Sequence, residues 1–273
     1  MESTNCTAEI RTPSPWDFKG AALGITRTSY FRAFARQSGP RGASTDTLNW
    51  FYARHARLNA VPTMFTATVI RNLAIPESMT VFGMIMLYIW KLRAAHPGLW
   101  VAILGIMLLS HFVRRESPGE LGFRARALPH LVREFSPLLA VMTLAMLACG
   151  AALHSIRPIG WGGAALALAA YLPWGLLQQY ILNGYFLRQF ESSLSQRSSS
   201  LIAATLFSIV HSPNPLLMCS ALPGGYWSTQ IYRRTRCLYL MGLLHGIAGF
   251  LLFMVVPDSI SHHLRVGPAW FSW

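Results

Sequence analysis

Long apolar runs recur through the second half of this 273-residue chain, and they constrain its fold more than any other feature. Hydrophobic residues make up 53% of the sequence and charged residues only 12%. The runs do not alternate between apolar and polar residues, as the strands of a transmembrane barrel would. We therefore predict an all-α fold, a polytopic transmembrane helical bundle.

The apolar runs predict about seven spans, separated by breaks that contain basic residues, Pro or Gly. The candidate spans cover residues 78–90, 99–113, 135–156, 161–187, 199–211, 215–232 and 237–256. The first, second and fifth are shorter than the roughly 20 residues that cross a hydrocarbon layer. No Asp or Glu lies within these spans, since the acids Glu77, Glu134, Glu191 and Asp258 fall just beyond their ends.

The distribution of positive charge predicts the orientation of the chain, which carries a formal net charge of +13. With the N-terminus inside, the loops on the cytoplasmic side hold eleven Lys or Arg residues, and those on the opposite side hold four. Cytoplasmic loops of membrane proteins carry such an excess. We therefore expect an integral membrane protein whose N-terminus is cytoplasmic.

Residues 1–60 have no sustained apolar face and are rich in basic and small polar residues. This composition predicts a flexible basic cytoplasmic tail, followed by a transmembrane helical domain over residues 61–273. Basic residues near a membrane can contact anionic lipid, so we expect anionic lipid as a possible partner at the basic cytoplasmic loops. No nucleic-acid partner is expected.

Strongly polar side chains within the apolar spans are the candidate functional residues, because each costs free energy in lipid unless it meets a partner or water. Gln178, Gln179 and Asn183 lie in the fourth span, and Gln179 and Asn183 share one helix face. His211 ends the fifth span and His245 lies in the seventh. Such residues can serve a catalytic site, or they can form interhelical hydrogen bonds that only stabilise the bundle.

These residues, in this order, resemble the motifs of the CAAX protease and bacteriocin-processing (CPBP) family of intramembrane proteases. That family has Glu-Glu-x-x-x-Arg, then Phe-x-x-x-His, then His-x-x-x-Asn on its fourth, fifth and seventh helices. The matching positions here are Gln178, Gln179, Asn183, Phe207, His211, His245 and Gly249. The resemblance spans about residues 115–256 and implies a CAAX-protease-like core. Residues 121–124 resemble bacterial members, which implies the bacterial inner membrane.

The resemblance implies a role for each motif position, and this chain departs from several of them. The first glutamate and first histidine of the family activate water, and the second histidine and the asparagine hold the oxyanion. Here Gln178 replaces the glutamate, and a neutral amide is not a useful base at neutral pH. Asn183 replaces the arginine and Gly249 replaces the asparagine.

Two functions therefore remain open from the sequence. The chain is either a CPBP-type intramembrane endopeptidase with a degenerate Gln-Gln centre, or a catalytically inactive pseudoprotease that binds a hydrophobic peptide, a lipid or a partner helix. In both cases the expected partner is embedded in the membrane. We expect no cofactor and no metal, since His211 and His245 lack an evident third ligand for zinc. The other histidines, including His111, are expected in solvated or interfacial positions.

Overall fold

The structure, a computed structural model, describes residue 69 and residues 71–272. The predicted basic tail over residues 1–60 lies outside the described residues. Within them the regular structure is helical and contains no strand. This confirms the all-α fold.

Seven long helices account for most of the described chain. They are α1 (Arg71–Leu92), α2 (Leu99–Val113), α3 (Leu128–Ala152), α4 (Gly160–Glu191), α5 (Gln196–Ile209), α6 (Pro215–Thr235) and α7 (Leu238–Val255). Short helical turns at Asp258–Ser261, His262–Leu264 and Gly267–Trp270 follow α7.

Four of these helices, α1, α3, α4 and α7, are long and apolar enough to cross a membrane, and α2 is a shorter apolar helix. The prediction of membrane-spanning helices is therefore confirmed. The count of seven spans stays a prediction, because α5 and α6 carry more polar residues and do not meet the same criterion.

Three helices extend past the predicted span ends, and each includes an acid that was expected outside the spans. Helix α1 already covers residues 71–77 and includes Glu77, α3 begins at residue 128 rather than 135 and includes Glu134, and α4 continues beyond residue 187 to Glu191. The carboxylate of Glu77 accepts a hydrogen bond from Arg114 at 2.6 Å. An acid that has an ion-pair partner can lie within a helix, near the end of its membrane-spanning part. A prediction from apolar runs, in contrast, ends the span at the first charged residue.

Helices α4 and α7 pack so closely that glycine is required at their contact. A Cβ atom on Gly175 would lie 2.6 Å from the backbone nitrogen of Gly246, and one on Gly242 would lie 2.7 Å from Cα of Leu176. Small residues allow such backbone contact between membrane helices. This packing brings Gln179 of α4 beside His245 of α7.

Helices α5 and α6 also pack around Gln179 and His245. The hydroxyl of Ser195 caps α5 by accepting a hydrogen bond from the backbone of Ser198 at 3.2 Å. Asn214 caps α6, where Pro215 takes the first helical position. Gly225 of α6 lies against Ala204 and Phe207 of α5.

Candidate functional site

The candidate site begins at a change of helix type within α4. The helix is α-helical over Gly160–Gln179, π-helical over Tyr180–Leu187 and α-helical again over Arg188–Glu191. It runs through Pro173 without ending. Pi-helical turns are rare and often occur at functional sites. Gln179 lies at the start of this segment and Asn183 lies within it, and both are buried.

Gln179 is the centre of a hydrogen-bonded network that joins three helices. Its Oε1 accepts from Nδ2 of Asn183 at 2.7 Å and from Oγ of Ser228 on α6 at 2.6 Å. Nδ2 of Asn183 also donates to Oγ of Ser228 at 2.8 Å. With two donors on its oxygen, the Gln179 amide turns its nitrogen toward α7, where Nε2 lies 3.1 Å from Nδ1 of His245.

This arrangement fixes the proton position on His245. An amide N–H can only donate, so Nδ1 of His245 accepts the hydrogen bond from Gln179. The neutral imidazole then carries its proton on Nε2. His245 therefore presents a hydrogen-bond donor on the side of the ring away from Gln179.

His211 has the opposite arrangement. It lies in the turn that follows α5, two residues beyond the end of the helix at Ile209, and not on the helix as the motif order predicts. Its Nδ1 donates to the backbone oxygen of Phe207 at 2.6 Å, because a carbonyl can only accept. Nε2 of the neutral ring is then an acceptor.

Phe207 lies between the two histidines. Its ring centroid is 5.0 Å from that of His211 and 5.7 Å from that of His245, and both pairs meet edge to face. The two imidazoles thus border one aromatic side chain. Phe207 itself is buried in the main core.

The turn that carries His211 is held by the C-terminal segment. Nδ2 of Asn214 donates to the backbone oxygen of Ser261 at 2.9 Å and to that of Arg265 at 3.1 Å. The backbone nitrogen of Gly267 donates to the oxygen of Ser212 at 2.8 Å. These bonds fix the backbone on which His211 is placed.

Gln178 and Gly249 stand apart from the network. Oε1 of Gln178 is buried and has no hydrogen-bond partner within the described part of the chain. A Cβ on Gly249 would lie 3.1 Å from the ring of Tyr171, so an aromatic ring of α4 occupies the space beside this position. The structure therefore brings together Gln179, Asn183, Phe207, His211 and His245.

The partners of the motif side chains in residues 71–272 are amides, a hydroxyl, an imidazole and a backbone carbonyl. The acids that form ion pairs lie elsewhere: Glu77 with Arg114, Glu116 with Arg188, Glu191 with Arg233, and Asp258 with Arg157. The motif cluster is therefore built from groups that are neutral or can be neutral.

Sequence reasoning missed two parts of this arrangement. Ser228 completes the Gln179 network, and the signal that could have found it is its position among polar residues on α6, next to Thr229 and Gln230. The prediction of a solvated or interfacial His111 is wrong: its ring is buried and its Nδ1 lies 2.5 Å from Oε2 of Glu116.

The comparison with protein families bears on the same helices. The family model described as Rce1-like, type II CAAX prenyl endopeptidase Rce1-like, matches residues 160–251. The match runs from the start of α4 into α7 and includes every motif position from Gln178 to Gly249. This confirms the resemblance to CAAX-type intramembrane proteases, and with the apolar helices it indicates an integral membrane protein.

The other comparisons give no further relative. No curated protein matches the chain, and no solved structure matches it.

Proposed function

We propose that this chain is a non-hydrolytic homologue of the CAAX-type intramembrane endopeptidases, which binds a hydrophobic peptide segment within the membrane. One observation carries the proposal: both glutamates of the CPBP motif are amides here, Gln178 and Gln179, and the Gln179 amide is held at its oxygen by Asn183 and Ser228 and at its nitrogen by His245. An amide cannot take a proton from water at neutral pH, and these partners keep it in place.

The polar atoms that remain suit a peptide backbone. His245 offers a donor at Nε2, and Nε2 of the neutral His211 is an acceptor. A peptide in lipid that is not helical has N–H and C=O groups that require partners. A site with both donors and acceptors, enclosed by apolar helices, supports binding of such a segment.

Photo-cross-linking tests this proposal. The full chain would be reconstituted in lipid nanodiscs with a library of single-span peptides that carry a photoreactive residue, and cross-linked positions would be mapped by mass spectrometry. We expect cross-links near Phe207, His211 and His245, reduced at least several-fold by His211→Ala. Leu166→Ala, at an exposed position of α4, is the control and should leave them unchanged. Cross-links absent from the site, or equal in both variants, would count against the proposal.

Slow hydrolysis is the second candidate function, and it is favoured by the two imidazoles that border Phe207. A histidine can accept a proton near neutrality. Here, however, the Nδ1 of His211 bonds a carbonyl and that of His245 bonds an amide, so neither ring has a carboxylate to stabilise its protonated form. The double variant Gln178→Glu with Gln179→Glu restores both acids of the motif. Its rate of peptide hydrolysis is the reference with which the rate of the wild type is compared.

We also propose that the protein lies in the bacterial inner membrane with its N-terminus in the cytoplasm, and that anionic lipid contacts its basic loops. The excess of Lys and Arg on alternate loops supports this orientation. In intact cells, a membrane-impermeant thiol reagent should label Lys91→Cys and not Arg126→Cys. The reverse pattern would contradict the orientation. Binding to liposomes with and without anionic lipid tests the lipid contact.

A further inference from the structure

A second cluster of polar residues lies apart from the motif residues, where α2, α4 and the loop after α2 meet. His111 of α2 and Tyr180 of α4 are its buried members, with 3% and 4% of their surface exposed. Glu116, in the loop, links them to the charged end of α4, because Arg188 donates to its Oε1. The family motifs do not include any of these four residues.

The contact between His111 and Glu116 determines which nitrogen of the imidazole donates a hydrogen bond. Nδ1 of His111 lies 2.5 Å from Oε2 of Glu116. Burial raises the pKa of Glu116, but hydrogen bonds from His111 and Arg188 outweigh this and hold it below its ordinary value. The carboxylate is therefore ionised and accepts a hydrogen bond from Nδ1 of His111, so the proton of a neutral ring lies on Nδ1 and Nε2 of that ring is an acceptor.

Two polar atoms beside this pair are buried without a partner. Among the described residues, Nε2 of His111 and the hydroxyl of Tyr180 have no hydrogen-bond partner. The two rings meet edge to face, with centroids 5.8 Å apart. A buried polar atom without a partner is costly, and two adjacent ones, an acceptor and a hydroxyl donor, are typical of a site that holds water.

We propose that His111, held by Glu116, and Tyr180 form a buried water site of this protein, in which one water molecule donates a hydrogen bond to Nε2 of His111 and accepts one from the Tyr180 hydroxyl. The water satisfies both buried atoms at once. It completes a chain from Arg188 through Glu116 and His111 to Tyr180, the residue that follows Gln179 in α4.

The aromatic side chains around this cluster favour water over a larger polar ligand. Phe123 and Tyr185 also pack against this cluster, with ring centroids 6.1 Å from Tyr180 and 5.7 Å from His111. Tyr185 directs its own hydroxyl to Glu77 at 2.9 Å and so does not supply the missing partner. These aromatic neighbours supply no hydrogen-bond partner, so the two unpartnered atoms are left to bind one small molecule that both donates and accepts.

Nuclear magnetic resonance of the full chain in nanodiscs, with ¹⁵N in the histidine rings, tests the proposal. We expect Nδ1 of His111 to be protonated, Nε2 to be unprotonated, and a cross-peak from Nε2 to a bound water proton. Tyr180→Phe removes the hydroxyl and should abolish this cross-peak. The control Tyr239→Phe changes a ring that packs on the same Phe123 and should leave it intact.

Two results would overturn the proposal: protonation of both ring nitrogens of His111, or absence of the water cross-peak in the wild type. A cross-peak that persists in a folded Tyr180→Phe variant would do the same, because the water would then be held by other groups. If that variant does not fold, a high-resolution density map of the wild type decides. It should show a water at about 2.7–3.2 Å from Nε2 of His111 and from the Tyr180 hydroxyl. None of these results depends on peptide binding at the motif site.

Discussion

Nε2 of Gln179 lies 3.1 Å from Nδ1 of His245, so the two motif helices α4 and α7 are joined by an amide and an imidazole. A carboxylate at this place would instead accept a hydrogen bond from Nδ1–H of the histidine. The amide reverses the direction of the hydrogen bond and makes His245 the acceptor. The contact between these two motif positions is therefore one between neutral groups, as the proposed non-hydrolytic role requires.

The Gln179 network should contribute measurably to stability. Ser228→Ala removes a donor to Gln179 and an acceptor from Asn183, and leaves buried amide groups without a partner. We expect the free energy of unfolding to fall by about 1–3 kcal/mol. Ser220→Ala, which loses an exposed bond to its own helix, is the matched control and should cost less than about 0.5 kcal/mol. Unfolding in mixed micelles with a denaturing detergent measures both; equal losses would contradict the network's role.

The close packing of α4 on α7 predicts an asymmetric response of two glycines in the same helix. Gly175→Ala places a Cβ 2.6 Å from the backbone of Gly246, so the helices must separate and the variant should lose about 1–3 kcal/mol or more. Gly162→Ala adds a Cβ that meets nothing within 4 Å and should be neutral or stabilising. The same unfolding assay tests this pair. A tolerated Gly175→Ala would show that the two helices are not held at this distance.

The ion pair between Arg157 and Asp258 predicts a dependence of stability on pH. A hydrogen bond from Arg157 lowers the pKa of Asp258 below its ordinary value of 3.8. A lowered pKa in the folded state means that the stabilisation is present above the unfolded-state pKa and is lost as the pH falls from there through the lower, folded-state pKa. Because Asp258 is partly exposed, we expect the effect to be at most about 1 kcal/mol.

Asp258→Asn should therefore lower stability at neutral pH and have a smaller effect near pH 3. Measuring the free energy of unfolding at both values, in wild type and variant, checks this. A loss of the same size at both pH values would mean that the carboxylate contributes through packing and not through its charge.

The helical fold and the motif positions could be predicted from the sequence because both rest on local patterns. Apolar runs place α2 and α7 to within one residue, and a spacing of four residues puts Gln179 and Asn183 on one helix face. The part of α1 before residue 78 could not be predicted in this way, since Glu77 is stabilised by hydrogen bonds from Arg114 and Tyr185, which are distant in the chain.

The contacts between helices that define the two polar clusters depend on tertiary packing, so the sequence can mark a polar residue without showing its partner. Ser228 meets Gln179 only because α6 packs beside the π-helical segment of α4. His111 looks like the polar end of an apolar run, yet the loop after α2 turns back and brings Glu116 against it. Residues of this kind become evident only in the structure, from the hydrogen-bond partner of each buried polar atom.

The central claim is tested most directly by mass spectrometry of a membrane peptide that the protein captures. The peptide would first be incubated with an excess of the reconstituted protein. The account predicts that the peptide stays intact in the wild type and in His211→Ala and His245→Ala alike, because the site lacks a general base. Fragments produced by the wild type and absent from both folded variants would contradict it, and would show that the Gln-Gln centre hydrolyses peptides through its histidines.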